Sequence, residues 1–162
     1  MAKVRLQKWI NKIIKNARSG NRSLEKFPYR GNDPYIFVTY SHADSEIVIP
    51  VMKKFHLRGY RVWFDKGIRA GEVWREIIAR RIVNSTQYIN FCSENAVGSS
   101  DIRAELNLAL DKIPEKIITV RMDEARYSEG YEMYLKVHQN VNLYDEDFEE
   151  IMLDSINPAT RG

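Results

Sequence analysis

Side chains that can do chemistry are concentrated in three short segments of the 162-residue chain. Residues 40–44 combine hydroxyl groups, an imidazole and a carboxylate, and residues 65–74 contain a carboxylate, an arginine and a tryptophan. Residues 93–105 contain further hydroxyl groups and carboxylates. Such groups serve acid–base catalysis, nucleophilic catalysis or the binding of a polar ligand, so their spacing decides which chemistry is available.

The spacing excludes several common sites. Where a response-regulator receiver has an acidic pair and a strand-ending aspartate, this chain has Tyr40-Ser41-His42 and Cys92-Ser93. It contains no GxxxxGK[ST] phosphate loop, no GxGxxG dinucleotide motif and no glycine-flanked serine elbow. Three scattered histidines and one cysteine do not form a zinc-binding pattern, so no metal is expected.

The elements that must position these segments follow from alternating apolar runs and helix-period stretches. Strands are predicted at residues 35–40, 60–65, 88–92, 116–120 and 141–144. Ser41-His42-Ala43-Asp44 should cap the first helix, in which Pro50 predicts a kink or a late start. Two further helices are predicted at residues 74–82 and 146–153, and a short one before the last strand. A loop is predicted after Ser93, followed by a helix that starts at the Ser99-Ser100 cap and ends at about residue 111.

Strands that alternate with helices predict an α/β fold, namely a flavodoxin-like five-stranded parallel sheet with helices on both faces. With the strand order 2-1-3-4-5, the ligand crevice lies outside the carboxyl ends of strands one and three. That edge would bring residues 40–44, 65–74 and 93–105 together. The fold therefore predicts one cleft shared by all three polar segments.

Composition is that of a globular protein, with 44% hydrophobic and 29% charged residues. The single cysteine, Cys92, excludes an internal disulfide and suits a reducing compartment. No run of eighteen apolar residues occurs, and the basic N-terminus lacks the apolar core of a secretory signal. A cytoplasmic protein is expected.

A basic leader precedes the predicted domain. Residues 1–30 contain nine Lys or Arg and one acid, Glu25, whereas the whole chain has a net charge of +3. Residues 1–19 predict a basic amphipathic helix, residues 20–33 a connector, residues 34–155 the domain, and residues 156–162 a tail. The apolar stripe of the helix either packs on its own domain or self-associates, and contact with an anionic membrane is less favoured. Nucleic-acid binding is not expected, because the only aromatic residue of the leader helix, Trp9, lies on the apolar face.

Three sequence boxes resemble the Toll/interleukin-1-receptor (TIR) domain family, in its bacterial form. Phe37-Val38-Thr39-Tyr40-Ser41-His42-Ala43-Asp44 is similar to the opening signature of that family. The stretch from Gly59 through Asp65 to Trp74 is similar to its second strand and mobile "BB" loop, and residues 93–106 are similar to its third box. The resemblance covers about 120 residues, with the boxes in order.

This resemblance implies either enzymatic cleavage of NAD⁺ or a self-associating signalling scaffold. Enzymatic members break the nicotinamide–ribose bond with one glutamate on the third helix, a position that matches Glu105. A fixed carboxylate can stabilise the oxocarbenium character of the ribose, and nicotinamide leaves as a neutral molecule without a general acid. NAD⁺ is then the substrate and no cofactor is needed. The alternative for Glu105 is a solvated helix residue.

Other positions carry over from the family individually. Tyr40, Ser41 and His42 match the loop that lines the substrate pocket, although they could simply end a strand and cap a helix. Asp65 matches an acidic strand-end residue or starts a turn, and Trp74 matches an aromatic residue against the nucleotide or belongs to the core. Arg69 is a candidate phosphate contact or a solvated charge.

Asp101 departs from the family pattern, because enzymatic members usually have an aromatic residue four positions before the glutamate. An acid in the first helical turn complements the helix dipole, yet it places a like charge one turn from Glu105 and disfavours ionisation of Glu105. The departure favours the alternative of a non-catalytic scaffold that binds other TIR proteins. In either case the resemblance implies homo-oligomers formed through the BB loop, residues 66–73, and a role in bacterial immune signalling or antiviral defence.

Overall fold

The computed structural model describes residues 27–67 and 71–162, together with Val4, Lys8 and Asn11. The predicted leader helix, residues 1–19, therefore lies outside the described residues apart from those three positions, and Arg69 lies outside them too. Five strands and six α-helices are found in the described part. The strands are β1 (Ile36–Thr39), β2 (Val62–Trp63), β3 (Gln87–Cys92), β4 (Ile117–Arg121) and β5 (Gln139–Asn142). The helices are α1 (Ser45–Leu57), α2 (Glu72–Val83), α3 (Glu94–Gly98), α4 (Ser100–Lys112), α5 (Glu129–Leu135) and α6 (Phe148–Ser155).

All five strands are parallel and follow the order β2-β1-β3-β4-β5. The predicted fold class and strand order are therefore confirmed. Thr39, Asn90, Thr119 and Asn140 are paired successively across β1, β3, β4 and β5, which places a polar row on one face of the sheet. Since the strands are parallel, their carboxyl ends share one edge, where the three polar segments meet.

The two faces of the sheet bury two separate cores. Ile36 and Val38 point into the core that α1 and α6 cover, and Phe37 points into the core that α2 and α4 cover. This alternation follows from the two-residue period of a strand. The second core contains a stack of rings in which Phe37 lies 5.0 Å from Trp63 and 5.7 Å from Tyr88 between ring centroids. The floor of the cleft therefore rests on packed aromatic rings.

The start of the first helix differs from the prediction. Residues His42–Asp44 form a 3-10 turn, and α1 begins only at Ser45. Ser41 makes no side-chain capping bond, so the predicted capping box is wrong. Pro50 lies inside α1 and not in its first turn, so the helix starts before the proline and not at it. The loop predicted after Ser93 is also wrong, because Ser93 caps the short helix α3.

β2 is much shorter than predicted, and the residues just before it contact another part of the chain. Tyr60 forms an isolated antiparallel bridge with Arg161, and the Arg61 amide donates to Thr160 O at 2.9 Å. Within β2 itself, the Val62 carbonyl accepts a hydrogen bond from the Tyr29 amide at 2.8 Å. Segments assigned to the connector and the tail thus cover the β2 edge of the sheet, which blunts an otherwise open edge strand.

Candidate active site

A cavity of about 490 Å³ opens at the carboxyl edge of the sheet, between α2 and α4. Its size is within the range of pockets for small ligands. Every predicted site residue that the structure describes lines it: Tyr40, Ser41, His42, Asp65, Trp74, Asp101 and Glu105. Apolar side chains, including Phe37 and Ile82, form its inner end. The crevice predicted from the strand order is therefore present, and it gathers residues from all three polar segments.

Glu105 reaches the cavity from the second turn of α4. The Ser99 hydroxyl accepts a hydrogen bond from the Ile102 amide at 3.3 Å and so caps the helix as predicted. Ile102, Leu106 and Ala109 bury one face of α4, which turns the half-buried Glu105 toward the end of β1. There the Thr39 hydroxyl donates to Glu105 Oε2 at 2.8 Å. The carboxylate is therefore fixed by the strand beneath it.

Glu105 has an unusual protonation equilibrium. Burial raises its pKa from about 4.5 to about 7, while the hydrogen bond from Thr39 opposes this change. The negative charges of Asp65 and Asp101 raise the pKa further, as the sequence predicted for Asp101. Near neutral pH the cavity therefore contains a carboxyl group that exchanges readily between its charged and neutral forms, a property that is common at functional sites.

Asp65 connects the loops that follow β1 and β2. Its carbonyl oxygen accepts from the Tyr40 hydroxyl at 3.2 Å and lies 3.2 Å from His42 Nε2. Its carboxylate accepts from the Gly67 amide at 3.0 Å, which is a turn-forming contact. Gly67 has a φ of 73°, and a Cβ there would lie 2.7 Å from the His42 ring. Asp65 thus both starts a turn and lines the cavity.

Trp74 also belongs to both the core and the cavity. Its ring stacks on Trp63, with centroids 6.3 Å apart and an interplanar angle of 29°. Trp63 in turn lies on Phe37 and beneath the Arg30 guanidinium, which is 4.9 Å from its ring centroid. The Trp74 indole Nε1 is buried without a hydrogen-bond partner among the described residues. The ring is thus held from behind while part of it remains in the cavity wall.

Sequence reasoning missed Arg75 as a residue of the cavity wall, and it missed the contacts of Asp44, which does not itself line the cavity. Arg75 is exposed and lines the cavity from α2, the helix packed against α4. Asp44 is buried and accepts hydrogen bonds from the Ser93 hydroxyl and, at 2.8 Å, from Asn95 Nδ2. Asp44 thereby joins the first sequence box to the third. Its position in the Ser-His-Ala-Asp signature marked Asp44 as a candidate, but nothing in the sequence showed which residues it contacts.

The charge around the cavity is mixed. Asp65, Asp101 and Glu105 contribute carboxylates, whereas Arg75 contributes a guanidinium. Within the part of the chain that the structure describes, no group of three or more His, Cys, Asp or Glu side chains could hold a metal ion. Nor does any described helix have the length and apolar character to cross a membrane. The geometry defines an α/β domain with a nucleotide-sized cleft at a topological switch point.

Comparison with known proteins agrees with this description. Residues 36–153 match the family model of the TIR domain, so the chain belongs to the TIR domain family. Its fold is similar to the crystal structure of the TIR domain of the Toll-related receptor TRR-2 from Hydra magnipapillata, with a TM-score of 0.61. The two sequences are 18% identical, and the match covers 74% of this chain and 94% of the Hydra chain. No curated protein sequence matches the chain.

Proposed function

We propose that this TIR domain is an NAD⁺ nucleosidase, which cleaves the nicotinamide–ribose bond to give nicotinamide and a linear or cyclic ADP-ribose product. The observation that carries the proposal is Glu105, a carboxylate fixed by Thr39 in the wall of a nucleotide-sized cavity. Position and pKa together suit a group that acts on a developing positive charge.

The reaction breaks the bond between ribose C1′ and the pyridinium nitrogen. The bonding electron pair leaves with nicotinamide, which becomes neutral, and the ribose develops oxocarbenium character. Ionised Glu105 stabilises that charge at short range. Water then attacks C1′ and loses a proton to give linear ADP-ribose, or a nucleophilic atom of the same nucleotide attacks to give a cyclic product. Because the leaving group is neutral, one carboxylate is enough.

The remaining side chains suit the charged and planar parts of the substrate. The carboxylate of Asp101 lies at the same cavity as Glu105 and complements the positively charged nicotinamide ring before cleavage. The guanidinium of Arg75 complements the pyrophosphate, a role for which the sequence offered Arg69 as a candidate. The half-exposed face of Trp74 offers a surface on which a planar base or ring can pack. NAD⁺, which is positive at one end and negative in its centre, matches this distribution of charge.

Assembly is the second part of the proposal. Gly67 and Gly71 both have positive φ values within the BB loop, and Val73, its last residue, is 76% exposed. A loop of this kind can contact a second copy of the chain, and repeated head-to-tail contacts build homo-oligomers. We place this activity in the cytoplasm, in bacterial immune signalling or antiviral defence, where assembly would switch the enzyme on.

A non-catalytic scaffold is the second candidate function, and a different surface favours it. Met133, Tyr134 and Val137, at and just after α5, are all more than half exposed. Such a cluster of large apolar side chains is typical of an interaction surface. With Asp101 in place of an aromatic residue, the domain could bind another TIR protein without cleaving NAD⁺.

One experiment separates the two functions. Purified protein at high concentration is incubated with NAD⁺, and the products are separated, with Glu105→Ala alongside. The enzyme proposal requires nicotinamide release by the wild type and none by the variant. The second product then shows whether the ADP-ribose formed is linear or cyclic. If both proteins leave NAD⁺ intact while they self-associate or bind a TIR partner, the scaffold is the function.

A further inference from the structure

Glu105 is the last member of a chain of three hydrogen-bonding groups that crosses from β3 through β1 to α4. The Tyr88 hydroxyl lies 2.6 Å from the Thr39 hydroxyl, and the Thr39 hydroxyl lies 2.8 Å from Glu105 Oε2. Tyr88 and Thr39 are almost completely buried. The carboxylate thus meets the cavity on one side and, on the other, two buried hydroxyl groups that lie along one face of the sheet.

Proton counting fixes the direction of this chain. An ionised carboxylate can only accept, so the single hydroxyl proton of Thr39 points to Glu105. Tyr88 must then donate to the free lone pair of Thr39. Burial and the nearby charge of Glu105 raise the pKa of Tyr88 well above its ordinary value, so the phenol keeps the proton that it donates. Both hydroxyl dipoles therefore point to the carboxylate.

The Tyr88 hydroxyl is not needed to fill space. Its ring stacks on Phe37 with an interplanar angle of 2°, a contact that phenylalanine would make equally well. Among the described residues, Thr39 is the only hydrogen-bond partner of this hydroxyl. Burial of a hydroxyl group is costly unless it is hydrogen-bonded, and here the one bond that it makes leads to Glu105.

We propose that Tyr88 is a positioning residue for Glu105, acting through Thr39 to favour the ionised carboxylate and to hold it in one orientation. The idea that this matters for NAD⁺ cleavage rests on the proposed function, but the effect on Glu105 does not. Linked hydrogen bonds strengthen one another, so loss of the Tyr88 hydroxyl weakens the Thr39–Glu105 bond without breaking it. Loss of the Thr39 hydroxyl removes that bond altogether.

Other charged groups around Glu105 define what the experiment must hold constant. Asp65 faces it from the loop after β2, and Asp101 faces it from its own helix, and both raise its pKa. His42, from the loop after β1, and Arg75, from α2, line the same cavity. None of the substitutions below removes one of these four groups, so a change in the titration of Glu105 reports on the hydroxyl chain.

The test is a ¹³C NMR titration of glutamate side-chain carboxyl groups in the full chain without NAD⁺, with the Glu105 signal assigned by Glu105→Gln. Tyr88→Phe should raise the pKa of Glu105 by about half a pH unit. Thr39→Val should raise it by about 1–2 units, and Thr39→Ser should leave it unchanged because serine retains the hydroxyl.

Tyr127→Phe is the matched control. Tyr127 is also buried on this face of the sheet, but its hydroxyl donates to Asn90 at 3.3 Å. It makes no hydrogen bond to Tyr88, Thr39 or Glu105 among the described residues. It should lower stability as much as Tyr88→Phe without moving the Glu105 titration. An unchanged Glu105 pKa in Tyr88→Phe, or an equal change in Tyr127→Phe, overturns the positioning role. Failure of the wild type to release nicotinamide would instead count only against the proposed enzymatic function.

Discussion

Glutamine in place of Glu105 should stabilise the folded protein at alkaline pH and leave its stability almost unchanged in acid. The reason is a difference in proton binding between the folded and unfolded chains. In the unfolded chain a glutamate titrates near pH 4.5, whereas burial raises the pKa of folded Glu105 to about 7. Between these two values the folded protein retains a proton that the unfolded chain has already released.

The sign and size of the effect follow from this difference. As pH rises from 4.5 to 7, the wild type loses stability, because ionisation of Glu105 is harder in the folded state. The full difference corresponds to about 3 kcal/mol, and screening by solvent at the cavity mouth reduces it to about 2–3 kcal/mol. Glutamine is neutral at every pH and can still accept the hydrogen bond from Thr39, so it avoids this loss.

The assay is urea-induced unfolding of the wild type and Glu105→Gln at several pH values between 5 and 8.5. The difference between their free energies of unfolding should increase with pH and level off above pH 7.5. Glu76→Gln is the control for loss of one negative charge, because Glu76 is exposed on α2. A difference that is the same at pH 5 and pH 8.5 would refute the assignment of a raised pKa to Glu105.

Three further substitutions test the cavity. Arg75→Gln should raise the KM for NAD⁺ by about tenfold in steady-state assays, because the pyrophosphate loses a charge-assisted hydrogen bond. Gly67→Ala should destabilise the fold by about 1–2 kcal/mol in urea unfolding, because the position has a φ of 73° and the new Cβ would meet the His42 ring. Asp101→Trp should increase turnover at pH 6.5 several-fold, because it removes a like charge that raises the pKa of Glu105 and adds a stacking surface.

Each of these substitutions has a control. Arg80→Gln removes an exposed arginine of α2 that does not line the cavity, and an equal rise in KM would contradict the role of Arg75. Gly130→Ala adds a methyl group in open space within α5 and should stabilise by about 1 kcal/mol. Asp101→Asn removes the charge without adding a stacking surface. If its turnover at pH 6.5 equals that of Asp101→Trp, the aromatic ring contributes nothing to turnover.

The sheet and the location of the cleft could be predicted because they depend on local patterns. Buried strands of a parallel sheet appear as continuous apolar runs, and the segment Tyr35–Tyr40 has that form. Once the strands alternate with helices, the strand order fixes where the polar loops meet. The helix cap at Ser99 was predictable for the same reason, since the capping signal lies within four residues.

Features that depend on distant partners could not be predicted. β2 and the residue Tyr60 before it contact Tyr29 and Arg161, which are far away in sequence. The hydrogen bonds that Asp44 accepts from Ser93 and Asn95 span about 50 positions. Asp44, which the sequence presented as part of a helix cap, therefore joins the first sequence box to the third. Tyr88, which the sequence marked only as a strand residue, contacts the site through Thr39 because β1 and β3 are neighbours.

The most direct test of the central claim is the pH dependence of nicotinamide release from NAD⁺, measured for the wild type, Glu105→Gln and the control Glu76→Gln. If ionised Glu105 stabilises the oxocarbenium ion, the rate should rise about tenfold per pH unit in acid and level off above about pH 7. The control should follow the wild type, and Glu105→Gln should release nicotinamide at least about a hundredfold more slowly. Equal release by wild type and Glu105→Gln, or no release by the wild type in its assembled form, would contradict the account.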